Sequence, residues 1–258
     1  MRTDSTSSAG INQMLKSSIG NRVLTLIVII CEELRNRINA LLTFIIILAI
    51  VLSDCCKRGD EMDYMMELAA IAREHGGIIQ TKVAAQYGIS KAMLYKLCKE
   101  DRIQRIVKGQ YILPDDLPDE LLSISKRSEK IIFSHETALY LHGISNRTPF
   151  EHTVTAPSGC IPSAAIKSEC KVYYIKSELF TLGKTVLKTP AGNSVPAYDL
   201  ERTICDCVRS RNKMGTETFL AALKLYAASP KKDLNKLNTY AKKMRVSNVL
   251  RQYLEVLL

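Results

Sequence analysis

Tryptophan is absent from the 258 residues, and five phenylalanines stand beside eleven tyrosines. An extended base-stacking platform of the single-strand-binding kind therefore has few residues to be built from, and duplex binding is easier to support. Long apolar runs are also missing. A membrane-spanning helix needs about 20 predominantly apolar residues, whereas the greasiest stretch, Ile38 to Ser53, is shorter and contains Asn39 and Thr43. A membrane partner is not expected. The eight cysteines (Cys31, Cys55, Cys56, Cys98, Cys160, Cys170, Cys205, Cys207) lack the regular spacing of a small secreted framework. The chain is long enough to build a core without such staples, which points to a reduced, cytoplasmic protein. Acidic residues are the minority, 26 Asp plus Glu against 36 Lys plus Arg, and the formal charge of +10 favours an anionic partner such as nucleic acid or an acidic protein surface. A hydrophobic fraction of 47% and a mean hydropathy of -0.01 exclude wholesale disorder and a polytopic membrane protein.

What is present divides into four segments. Residues 1–61 form a Ser/Thr-rich start followed by two apolar runs, Val23 to Ile30 and Leu41 to Leu52. No small-residue cleavage pattern follows Leu52, so a signal peptide fits poorly. This segment reads as an extension outside the functional protein, arising from a start assigned upstream of Met62, Met65 or Met66; a weak membrane anchor and an accessory helix pair are the alternatives. Residues 62–114 have a cleaner pattern. Asp63 to His75 carries Met65, Leu68, Ala69 and Ala72 on one helical face and ends at Gly76-Gly77. Ile78-Ile79 reads as a buried connector, Thr81 as the cap of a helix from Lys82 to Tyr87, and Ser90 as the cap of a third helix. In that third helix Leu94, Leu97 and Cys98 face inward, while Lys91, Ala92, Tyr95, Lys96 and Lys99 make a basic outer face with one aromatic. Two β-candidates, Ile103 to Val107 and Gln110 to Leu113, flank Lys108-Gly109 as a hairpin turn. Three helices followed by a hairpin predict a winged helix-turn-helix, whose third helix enters the major groove of DNA.

Residues 115–128 read as an acidic, proline-marked hinge with a short helix through Leu122, and residues 129–258 as the C-terminal domain. Ile131 to Phe133, His152 to Thr155, Lys171 to Ile175, Thr185 to Lys188 and Ser194 to Tyr198 are strand candidates. Ser134 is the predicted cap of a helix from His135 to His142. Four helices follow, Asp199 to Arg211, Gly215 to Ala228, Lys232 to Met244 and Ser247 to Leu257. The fold class is α+β: an N-terminal winged helix-turn-helix, then a mixed α/β domain ending in a helical bundle.

The DNA-facing candidates are Ser90, Lys91, Tyr95, Lys96 and Lys99 on the third helix, with Arg105 and Lys108 on the wing. Lysine in a groove is mainly a point charge, so no base preference follows. A second basic surface is expected on the C-terminal helices from Lys231, Lys232, Lys236, Lys242, Lys243 and Arg245, in a stretch from Lys224 to Arg251 whose one acidic residue is Asp233. Most of the excess positive charge lies beyond residue 128. Catalytic and metal motifs are missing. His135 and His142 stand two helical turns apart, with Leu139 where a zinc-protease helix needs its second histidine. Arg202 and Asp206 read as an i, i+4 pair, and Cys205 and Cys207 as core residues without a zinc-spaced partner pair. No Asp-x-Asp pair with an upstream Gly-Ser makes a nucleotidyltransferase centre. No catalytic residue, metal or cofactor is therefore assigned.

Taken in order, Arg105-Ile106-Val107-Lys108-Gly109-Gln110-Tyr111, Ser134-His135-Glu136-Thr137-Ala138-Leu139-Tyr140-Leu141-His142-Gly143, Tyr198-Asp199-Leu200-Glu201-Arg202-Thr203-Ile204-Cys205-Asp206, Tyr240 to Val246 and Tyr253 to Leu258 make Met62 to Leu258 resemble the AbiEi family. That family comprises the antitoxins of the AbiE abortive-infection (phage defence) toxin-antitoxin systems. The resemblance implies a winged helix that represses its own operon by binding double-stranded operator DNA. It also implies a C-terminal domain that counters a co-encoded nucleotidyltransferase toxin without forming a stable complex. The alternative is a winged-helix transcriptional regulator whose C-terminal domain binds a ligand or another protein, with no toxin.

Overall fold

The computed structural model describes Ile45, residues 64–145 and residues 148–257. Apart from the helical, exposed Ile45, the segment read as an N-terminal extension lies outside these residues. The chain forms two compact units, Met1–Met66 and Glu67–Leu258, and the second carries nearly all of the described residues. No helix among the described residues is long and apolar enough to cross a membrane.

Residues 64–74 form α1, ended by Gly76 and Gly77 at φ +72° and +88°. The winged segment continues with β1 (Ile79–Gln80), α2 (Thr81–Gln86), α3 (Lys91–Lys99), β2 (Gln104–Val107) and β3 (Gln110–Ile112). The two predicted wing strands are present. The connector Ile78-Ile79 is buried as expected, and its end adds a third strand, β1, antiparallel to β3. Thr81 does not cap α2. Its backbone N–H and its hydroxyl both donate to the Gly109 carbonyl, at 3.0 and 3.2 Å, and tie the helix to the wing turn. Gly109 holds φ +84° in that turn, a region open to glycine at little cost. A bulge between Arg105 and Val107 turns Ile106 toward the core beneath.

The short helix expected through Leu122 in the hinge segment is α4 (Glu120–Arg127). Asp119 caps it by accepting the Leu122 N–H at 3.1 Å, and Leu121, Leu122, Ser123 and Ile124 are buried. These apolar groups share one cluster with Ile78 from the winged segment and Phe133, Val154, Val195 and Ala197 from the sheet behind it. A hinge would leave that surface in water; burying it is worth about 25 cal/mol per Å², so the segment becomes a wall.

The sheet contains β4 (Ile132–Phe133), β5 (His152–Pro157), β6 (Cys170–Ile175), β7 (Lys184–Lys188) and β8 (Ser194–Tyr198), in the order β6-β5-β4-β8-β7. The β5-β6 and β4-β8 pairs are parallel; β4-β5 and β7-β8 are antiparallel. All five coincide with strand candidates. Helix α5 (His135–Leu141) follows β4, α6 (Ala164–Glu169) crosses between β5 and β6, and α7 (Ser177–Phe180) follows β6. The C-terminal bundle is α8 (Leu200–Arg209), a 3-10 turn (Arg211–Lys213), α9 (Thr216–Ala228), α10 (Leu234–Met244) and α11 (Ser247–Leu257).

Helix α8 is the bundle's axis, with every residue from Leu200 to Val208 buried, charged ones included. Such burial requires partners. Arg202 donates from Nε to Asp206 at 3.0 Å and from Nη1 to the Leu179 and Leu182 carbonyls, and its guanidinium lies 4.3 Å from the Tyr198 ring centroid. Glu201 accepts the Asp233 N–H at the start of α10. Cys205 and Cys207 are fully buried, and burial pushes both thiols up, Cys205 to about 12.

Candidate nucleic-acid interface

The outer face of α3 is set by its cap and its core side. Ser90 Oγ accepts the Met93 N–H at 3.1 Å, which fixes the entry of the helix. Leu94 and Leu97 are fully buried beneath it. Lys91, Ala92, Tyr95, Lys96 and Lys99 all emerge on the exposed side. Tyr95 is 59% exposed, with the Lys99 ammonium 5.2 Å from its ring centroid, so that the aromatic and the cation form one surface feature. Lys96 lies 3.9 Å from Glu100 one turn on. That exposed pair is weak, worth about 0–1 kcal/mol, and a phosphate can displace it.

The wing, β2 and β3, follows α3 directly in the chain. Arg105 and Lys108 are exposed, and Arg105 Nε donates to the Val107 carbonyl across the bulge at 3.4 Å. All seven predicted DNA-facing residues are thus exposed at the surface of one small segment. Sequence reasoning passed over Lys82 and Arg102, which are exposed in the same segment; each is a single charge outside a periodic run.

The second predicted basic surface is divided by the structure. Lys236 is committed internally, 3.0 Å from Asp199 and 3.7 Å from Glu201, and Lys232 Nζ donates to the Ala227 carbonyl at 2.6 Å. The carboxylates beside Lys236 lie far away in sequence, whereas the Ala227 carbonyl is at the end of the preceding helix α9, five residues from Lys232. Lys231, Lys242, Lys243 and Arg245 remain exposed, Arg245 from a left-handed backbone at φ +59° that closes α10.

The histidines do structural work. His142 Nε2 meets the Tyr198 carbonyl at 2.9 Å, and burial lowers its basicity. His135 is buried, stacked on Tyr173 with ring centroids 3.7 Å apart, and bonded to Ser134 Oγ at 2.9 Å and Ser210 Oγ at 3.1 Å. Ser134 therefore does not cap α5 with its side chain. Thr153 on β5 takes that role across the sheet, accepting the Thr137 N–H at 3.0 Å.

The winged segment is held to the sheet by polar groups as well as by the shared core. Asp119 accepts hydrogen bonds from Thr189 Oγ1 at 2.6 Å and Asn193 Nδ2 at 2.8 Å. Asn193 Nδ2 also reaches the Gly76 carbonyl at 3.4 Å. Gln110 on β3 exchanges two hydrogen bonds with Ser123 on α4. Helix α3 is consequently carried on a braced support.

The crystal structure of the RV2827C protein from Mycobacterium tuberculosis matches the fold with a TM-score of 0.53 at 15% identity, over 72% of this chain and 75% of that one. That likeness is one of fold alone. No curated protein matches the chain. A family model described as "Transcriptional regulator, AbiEi antitoxin" matches residues 66–114, the span from α1 through the wing. Over that span the chain is similar to the AbiEi antitoxin family of transcriptional regulators.

Proposed function

We propose that the protein is a non-enzymatic, cytoplasmic, DNA-binding autorepressor and antitoxin, whose winged segment binds operator DNA of an operon encoding a nucleotidyltransferase toxin. The observation that carries the DNA-binding part is the exposed basic face of α3, Lys91, Tyr95, Lys96 and Lys99, together with exposed Arg105 and Lys108 on the wing that follows it. In a winged helix-turn-helix this helix enters the major groove and the wing reaches the backbone. Exposed Lys242, Lys243 and Arg245 offer a further anionic contact, to DNA or to an acidic face of the toxin. The toxin and the autorepressed operon come from the AbiEi resemblance, and that resemblance implies antagonism without a stable complex.

The test is operator binding as a function of salt. Each lysine that neutralises a phosphate releases counterions, so log K falls with log[salt] in proportion to the number of contacts. Lys96→Ala combined with Lys99→Ala is expected to weaken binding and to reduce the salt slope by about 2. An unchanged slope in a folded variant removes α3 from the phosphate interface.

A further inference from the structure

A cavity of about 370 Å³ opens beside the edge strand β6, remote in sequence from the winged segment. Its walls are β6 from Lys171 to Ile175, the last turn of α8 with Asp206, Arg209 and Ser210, and the 3-10 turn with Asn212 and Lys213; His135 and Thr155 complete it. The volume is that of a small-ligand pocket.

Its charge is one-sided. Lys171, Arg209 and Lys213 bring three cations to the rim, while Asp206, the one carboxylate in the lining, is bound to Arg202 Nε at 3.0 Å. Two carbonyls at the end of α8, which would repel an anion, already have donors: Ser210 N–H on the Asp206 carbonyl and Arg211 Nη1 on the Val208 carbonyl. Lys171 donates one proton to the Lys213 carbonyl at 2.8 Å, which aims its ammonium across the opening. The field of these cations registers on His135. After burial, the charges of Arg202, Lys171 and Arg209 drive its basicity down to about 3, so the ring contributes hydrogen-bonding capacity and no charge. The Tyr173 hydroxyl is wholly buried in this wall, where the Lys171 ammonium, 5.6 Å from the ring centroid, interacts with it. β6 also ends the sheet, so its outer backbone edge pairs with no strand among the described residues. Tyr174 is 46% exposed in the same wall.

We propose that this cavity binds a small anion bearing a phosphoryl or pyrophosphoryl group, held by Lys171, Arg209 and Lys213. Cationic side chains matched to phosphate oxygens make the strong, charge-assisted class of hydrogen bond. The exposed Tyr174 and the open strand edge give room for a heterocycle attached to such a group. This site is independent of the DNA-binding reading, because none of its residues lies in the winged segment.

Calorimetric titration of the full chain tests it, with inorganic pyrophosphate, ATP and adenosine as the probes. Pyrophosphate and ATP are expected to bind at millimolar or lower concentration and adenosine not to bind. ATP binding more tightly than pyrophosphate identifies a nucleotide, and equal affinity identifies the free anion; either supports the site. The Lys171→Gln, Arg209→Gln double variant is expected to lose at least about tenfold in affinity, about 1.4 kcal/mol, with an unchanged melting temperature in the absence of ligand. Lys171→Arg should retain binding. The proposal is overturned if neither phosphate compound binds, if the double variant binds them as well as the wild type, or if that variant loses operator DNA instead, which would make these cations part of the DNA surface.

Discussion

His135 concentrates more physical tension than any other single residue described. It is buried and neutral, starts α5 from a left-handed backbone at φ +46°, and is stacked on Tyr173. Burial, reinforced by Arg202, Lys171 and Arg209, holds its pKa near 3, whereas an unfolded chain takes up the proton near the ordinary value of 6.5. Acidification through 6.5 therefore favours the unfolded state, by about 1.4 kcal/mol per pH unit until the folded pKa is reached. Asp206 runs the opposite way. Burial raises its carboxyl from 3.8 to about 6 against the pull of Arg202, so its contribution is present at acid pH and is lost as pH rises through about 6. Between roughly pH 4 and 6 the two slopes oppose each other. Denaturant unfolding of wild type and His135→Gln across pH 7 to 4 should show the wild type losing ground to the variant by about 1.4 kcal/mol per unit below pH 6.5. A gap that does not vary with pH would mean that His135 is not held neutral.

At the scale of elements, the sharpest constraint lies where α1 turns into β1. A Cβ on Gly76 would come within 2.3 Å of Asn193 Oδ1 and 2.7 Å of Leu122 Cδ2, at a φ of +72° that disfavours side chains. Gly76→Ala is expected to destabilise the fold by about 1–3 kcal/mol through overpacking and strain, measured as a lowered denaturation midpoint. A neutral effect would show that the contact of the winged segment with α4 and the β7-β8 turn yields easily. Sequence reasoning reached the strands and long helices because they repeat at period 2 or 3.6 and carry Ser90, Asp199, Gly215 and Asp233 at their starts. It placed a short helix through Leu122 but set it within a hinge, because Pro114, Asp115, Asp116 and Pro118 are turn chemistry, while the burial of Leu121, Leu122 and Ile124 depends on strands far along the chain. Helices α6 and α7 are too short for periodicity to register, although Ser163, whose Oγ accepts the Ile166 N–H at 3.4 Å, was a legible cap. The α3 face was legible for the opposite reason, since one helix contains both its buried side and its basic side. The β6 cavity was not: its cations come from three elements brought together only by the sheet and bundle.

For the whole molecule, braced packing changes where the chain can be divided. A C-terminal fragment beginning at Lys130 uncovers Phe133, Val154, Val195 and Ala197, whose cover comes from α4. One beginning at Asp115 keeps that cover along with the Asp119 bonds to Thr189 and Asn193. The longer fragment should be soluble and melt cooperatively, and the shorter should aggregate or bind a hydrophobic dye. Equal behaviour of the two would demote α4 to a linker. Only the longer fragment is then suited to ask whether antitoxin action needs the winged segment. The pairing of β4 with β8, Phe133 opposite Ala197, has a further consequence for the order of synthesis. On a ribosome the winged segment emerges before the sheet, and Asn193, which reaches both Asp119 and Gly76, and the strand that completes the sheet come out much later. Contacts so distant in sequence close slowly. A nascent chain thus carries its basic helix before its support exists, and a firmly seated basic face is a property of the finished polypeptide.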